Sequence, residues 1–168
     1  MPSDSKAGRP LGATGETVRT NIKRVRESQR MAVTELSARM GGLGRSIPPL
    51  GIRRIEDGQR RVDVDDLAAF AVALGVSPLS LLIPDSSDPH SPVSYTAVSG
   101  PITAGELADW IRIQFPLPGT TSVLEFWSRA LPSWMSDGMV AALQKTNRDS
   151  PVTDEDQQRF WGTDGDDQ

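Results

Sequence analysis

Apolar residues recur at helical spacing through the first half of the chain. Val18, Ile22 and Val25 fall at i, i+4 and i+7 and predict a helix from about Glu16 to Arg30. Leu36 and Met40 share one face of a second helix, from about Val33 to Leu43, whose end is loosened by Gly41, Gly42 and Gly44. Pro48 and Pro49 form the next break. Each disfavours helical backbone in the residue before it, so Ile47 and Pro48 read as extended and Pro49 as the first residue of a third helix. That helix carries Ile52 and Ile55 inward and stops at Gly58. A fourth begins near Val64 behind Asp63, keeps Leu67, Phe70, Ala71 and Leu74 in phase, and ends at Gly75. Ser77 caps a short fifth helix with Leu79, Leu81 and Leu82, and Pro84 closes the series.

The second half carries weaker signals. Val93 to Val98 reads as a short strand. Thr103 with Glu106, and Ser122 with Glu125, each have the spacing of a capping box, predicting helices over about 103–112 and 122–131. Further helices are expected over 136–146 and 153–161. Eight of the nine aromatic residues lie here, among them Trp110, Phe126, Trp127, Trp134 and Trp161. At helical spacing they suit a small core or a self-association face. The expected organisation is a disordered arm over 1–14, a helical domain over 15–84, a linker over 85–92 (DSSDPHSP), a mostly helical region over 93–161 and an acidic tail over 162–168.

Composition narrows the chemistry. The 168 residues contain no cysteine and one histidine, His90, inside the polar linker, so thiolate metal sites, cysteine nucleophiles and histidine pairs are excluded. The expectation is a protein that is not an enzyme and needs no cofactor and no metal. No apolar run approaches the ~20 residues of a membrane helix, and the N-terminal segment lacks the apolar stretch of a secretory signal, so a cytoplasmic location is expected. The net charge of −4 conceals an asymmetry: residues 1–83 hold 13 Lys/Arg against 9 Asp/Glu, and residues 84–168 hold 5 against 13. The basic half is the one suited to a polyanion.

Two short helices across a Gly/Pro break, braced by further helices, form the order of a helix-turn-helix that places one helix in the DNA major groove. On the third helix Leu50 and Arg54 share a face, with Arg53 beside them and Pro49 at its start. Arg54 suits a guanine edge and Leu50 a thymine methyl, while Arg53 suits either a base or a phosphate. Arg60 and Arg61, just past the stop glycine, and Arg45 in the preceding turn are candidate phosphate contacts.

Residues 16–84 resemble the lambda-repressor-like, or XRE-family, helix-turn-helix domain. The resemblance is carried by Arg26, the run Val33-Thr34-Glu35-Leu36, the string IRRIEDG from Ile52 to Gly58, and LAAFAVALGVSPLSLL from Leu67 to Leu82. It implies a mainly α fold of five helices, helix three in the major groove, and a structural ion pair between Arg26 and Glu56. Three features depart from the family: the long turn GGLGRSIPP, Pro49 and Leu50 where polar base readers are usual, and Ala32-Val33 at the start of helix two. Direct readout is then thinner, with more weight on Arg54, phosphate contacts and DNA shape. Some repressors of this kind carry a self-cleaving domain. Ala104-Gly105 and Lys145 superficially fit it, but about 75 residues with few strand signals leave no room for that β-rich domain.

The expected function is a sequence-specific transcriptional repressor of bacterial or phage origin, immunity-repressor-like, with double-stranded DNA as partner and a homodimer formed through the C-terminal region. The alternative is a protein-interaction adaptor, antitoxin-like or anti-regulator, whose C-terminal region binds a partner.

Overall fold

The computed structural model describes residues 10–138 and residue 141. The chain divides into two units, Met1–Leu117 and Pro118–Gln168. The first contains α1 (Ala13–Ser28), α2 (Val33–Gly42), α3 (Pro49–Glu56), α4 (Val64–Leu74) and α5 (Pro78–Leu82). Then come β1 (Pro92–Val93), β2 (Ile102–Thr103) and α6 (Ala104–Ile111). The second unit contains α7 (Val123–Ala130), and residues 133–138 are also helical.

The five helices end where local chemistry stops them. Pro49 occupies the first turn of α3, where its missing N–H costs nothing. Gly58 after α3 has φ +75° and Gly75 after α4 has φ +68°, a backbone region that side-chain-bearing residues avoid. Asp63 caps α4 by accepting from the Asp66 N–H at 2.7 Å, and Ser77 caps α5 by accepting from the Leu79 N–H at 3.3 Å. α1 starts at Ala13, three residues before the position its apolar stripe marks, so the last residues of the expected arm are helical. Residues 1–9 of that arm lie outside the described residues.

One apolar core joins the five helices. Val18, Ile22 and Val25 of α1 meet Leu36 and Met40 of α2, Ile52 and Ile55 of α3, Phe70 and Leu74 of α4, and Leu81 of α5. Met31 and Ile47, in the connections, are buried with them. Polar groups on α1 tie down the far helices. Asn21, itself buried, donates through Nδ2 to the Leu81 and Ile83 carbonyls at 3.2 and 2.7 Å, and Gln29 donates to the Leu74 carbonyl at 2.7 Å. Carbonyls at helix ends have no intrahelical partner, and these amides supply one.

The boundary between units falls after Leu117, not in the 85–92 segment expected as a linker. β1 and β2 pair antiparallel with Pro92 opposite Thr103 and Val93 opposite Ile102, so the strand expected over 93–98 shrinks to two residues with an unexpected partner. The Ala104 and Gly105 N–H groups donate to the Ser91 and Pro89 carbonyls at 2.9 and 2.8 Å, fixing the segment that precedes β1. Thr14 and Thr96 exchange two hydrogen bonds, Thr14 N to Thr96 Oγ1 at 3.2 Å and Thr96 N to Thr14 Oγ1 at 3.1 Å. The hairpin connection is thereby fastened to the start of α1. Tyr95 stacks edge-to-face on Trp110 with centroids 6.0 Å apart, and burial pushes its hydroxyl pKa up. The capping box at Thr103 and Glu106 is complete, and Ser122 caps α7.

In the second unit the aromatics were expected to form a small core or a self-association face, and among the described residues they are at most half-buried. No residue of α7 is buried, Phe126 and Trp127 are half-buried, and Trp134 is 78% exposed. Helix 133–138 begins before the expected Ser136. The helix expected over 153–161, Trp161 and the acidic tail 162–168 lie outside the described residues.

Candidate nucleic-acid interface

α3 is anchored along one side and open along the other. Ile52, Ile55 and Glu56 are buried, whereas Pro49, Leu50, Arg53 and Arg54 are exposed. Leu50, out of phase with Ile52 and Ile55, is 61% exposed, a high value for a leucine. Among the described residues, no side chain pairs with Arg53 or Arg54, so both guanidinium groups keep their five donors for an external acceptor. The structure thus places the four sequence-selected residues Pro49, Leu50, Arg53 and Arg54 together on one accessible helix surface.

The end of α3 is clamped to α1. Arg26 meets Glu56 in a two-pronged pair, Nε to Oε1 at 2.6 Å and Nη2 to Oε2 at 2.9 Å, and donates through Nη1 to the Met31 carbonyl at 3.0 Å. The two side chains are 10% and 5% exposed. The Glu56 hydrogen bond holds the Arg26 proton more tightly and raises its pKa. Arg19 adds a second tie by donating to the Glu56 carbonyl at 2.9 Å. The ion pair implied by the family resemblance is formed, and it faces the interior, away from the open side of α3.

The three phosphate candidates differ. Arg45 is drawn into the fold's own carboxylates: Nε bonds Asp66 at 2.7 Å, Nη2 bonds both Asp63 oxygens at 3.0 and 2.8 Å, and Asp65 stands at 3.8 Å. The Asp66 hydrogen bond, ahead of the Asp63 charge, raises the Arg45 pKa. The Asp63 carboxyl is held below its ordinary range, first by the Asp66 N–H and then by Arg45. Arg45, expected as a phosphate contact, is 40% exposed and is a member of this network, with three carboxylates around it. Arg60 contacts Asp66 from the other side at 3.5 Å and lays Nη1 against Gly51 in the first turn of α3, 3.1 Å from where a Cβ would sit. Arg61 donates to the Pro10 carbonyl at 2.5 Å. Both remain exposed beside the C-terminal end of α3.

The acidic network escaped the sequence reading. Asp63 is legible in the sequence as a favourable charge at the start of a helix, but nothing local announces that Arg45, about twenty residues earlier, folds onto Asp63, Asp65 and Asp66. Among the described residues no group of His, Cys, Asp and Glu is arranged to hold a metal ion, and no helix is long and apolar enough to cross a membrane.

Residues 22–81 match a family model described as helix-turn-helix. The match opens within α1 and closes inside α5, so it takes in the whole of α2, the turn and α3. No curated protein and no solved structure matches the chain.

Proposed function

We propose, from a segment that matches a helix-turn-helix family model and resembles the lambda-repressor-like domain, that the protein is a DNA-binding transcription regulator acting as a repressor. It occupies an operator with α3 in the major groove and blocks polymerase. The observation that carries this reading is the open side of α3. A helix clamped by the Arg26–Glu56 pair shows solvent an exposed leucine and two arginines that have no partner among the described residues. Arg54 reads a guanine edge, Leu50 and Pro49 meet thymine methyl groups, and Arg53 serves a base or the adjoining phosphate. Arg60 and Arg61 contact phosphates beside the groove and set register without reading sequence. The basic charge of residues 1–83 supports the approach to DNA.

The exposed apolar residues of the second unit, Leu124, Trp134 and Met135, support a self-association role for this region, pairing two half-site readers. Selecting binding sites from a random duplex library with the full chain tests the proposal. Enrichment of one motif is expected. A library that stays random would favour the second reading, an interaction adaptor whose exposed C-terminal aromatics dock a protein partner.

A further inference from the structure

The geometry points to Asp66 as a positioning residue that sets how α3 is presented to DNA. This inference rests on the reading of α3 as the recognition helix. The turn before α3 contributes Arg45 and the turn after it contributes Arg60, and one carboxylate receives both. Oδ1 accepts from Arg45 Nε at 2.7 Å, and Oδ2 pairs with Arg60 Nη2 at 3.5 Å. The Asp66 side chain is 4% exposed, whereas Arg45 and Arg60 reach inward from the surface. Asp66 is itself fixed, because its N–H is the one that Asp63 caps at the start of α4. A rigid helix end therefore holds both flanks of α3 through one buried group, while Arg26 and Arg19 hold its final residue from α1.

The arrangement continues onto α3. Arg60 Nη1 lies over Gly51, where any side chain would meet it at 3.1 Å and would meet Ile47 Cγ2 at 3.0 Å. Gly51 leaves the space through which the guanidinium crosses the first turn of the helix. Loss of the Asp66 charge releases Arg60 and leaves Arg45 held only by Asp63 and Asp65, whose side chains are 60% and 81% exposed, so α3 can tilt between two loosened turns. Base contacts depend on placement to a fraction of an ångström, so their discrimination falls before the fold does.

Electrostatics alone predicts the opposite sign. Removing a carboxylate beside a DNA-binding face strengthens attraction to phosphate and raises affinity for all sequences. Full-length Asp66→Asn, measured well below its unfolding temperature, is expected to lose about tenfold in the ratio of specific to non-specific affinity, the value of roughly one misplaced base contact. Non-specific affinity stays equal or rises. Asp65→Asn removes the same charge from a side chain that is 81% exposed and only 3.8 Å from Arg45, so it should leave the ratio unchanged. Should Asp66→Asn fail to fold, Arg45→Ala breaks the same joint from the surface and is expected to lower the ratio with no change in salt dependence. A selected motif bound by the wild type and by the Asp66 or Arg45 variant with the same ratio overturns this inference alone. A wild type that enriches no motif overturns the DNA-binding reading and, with it, this role for Asp66.

Discussion

At the scale of single residues, the fold depends on a few buried polar groups whose partners leave no lone charge behind. Among the described residues no buried side-chain nitrogen or oxygen lacks a hydrogen bond. Glu56 illustrates the cost of disturbing that state. Replacing it by alanine strands the Arg26 guanidinium, and breaking a buried pair from one side costs about 3–5 kcal/mol. Chemical denaturation of Glu56→Ala should show a loss of that order, with Arg26→Ala nearly as severe. The double variant should lose less than the sum, because the second deletion removes the orphaned charge. Single losses below ~1 kcal/mol would mean that the pair contributes no more than a surface bridge. Asp63 makes a prediction about pH. Its folded pKa lies below its unfolded value, so the stability from its ionised form is present above the unfolded value and is lost as pH falls through the folded one. Asp63→Asn keeps a capping oxygen but not the charge that meets Arg45. Its melting temperature should therefore trail the wild type near neutrality and converge with it below about pH 4, the ordinary range for aspartate. A gap that stays constant across this range would remove the charge from the explanation.

At the scale of elements, the first five helices were legible because most of their boundaries have a local cause; the start of α1, behind Gly12 with no side-chain cap, has none and was placed three residues late. Pro49, Gly58, Asp63, Gly75 and Ser77 stand at or beside helix ends, and the predicted starts of α2, α3 and α4 coincide with the observed ones. The hairpin was not legible, since two-residue strands are too short to show alternation. Nor was the Arg45 network, which depends on tertiary proximity alone. The open side of α3 was readable from spacing, because residues out of phase with Ile52 and Ile55 must face elsewhere. Two consequences belong to this helix and its following turn. Arg54→Ala should reduce affinity for the selected motif by about 1–3 kcal/mol while leaving random duplex binding almost unchanged. An equal loss on both would make Arg54 a phosphate contact. Replacing Arg60 and Arg61 together by alanine should instead weaken binding to all sequences, with a further loss on the selected motif because Arg60 no longer meets Asp66. It should also lower the salt slope by about 0.9 for each lost phosphate contact. A slope equal to that of the wild type would remove both arginines from the interface.

At the scale of the whole molecule, the core and the unit boundary do not coincide. Every buried member of the five-helix core lies between Val18 and Leu81, yet the first unit continues to Leu117. The added hairpin and α6 meet the start of α1 through Thr14 and Thr96, two hydrogen bonds at an exposed site. Net contributions of such bonds are about 0.5–1.5 kcal/mol each, so a fragment ending at residue 84 should still fold. It should be less stable than a fragment ending at 117 by about 1–3 kcal/mol, measurable by denaturant titration. Neither fragment retains α7 or Trp134, where, among the described residues, apolar side chains meet solvent. If those side chains pair two copies, sedimentation equilibrium should give a dimer for the full chain and a monomer for residues 1–117. Trp134→Ser should shift the full chain toward monomer. The selected DNA motif should change in parallel, from two inverted half-sites with the full chain to a single half-site with the fragment, because symmetric DNA is read only by a symmetric pair. Inverted half-sites selected equally by the fragment would place the pairing surface within the first unit instead.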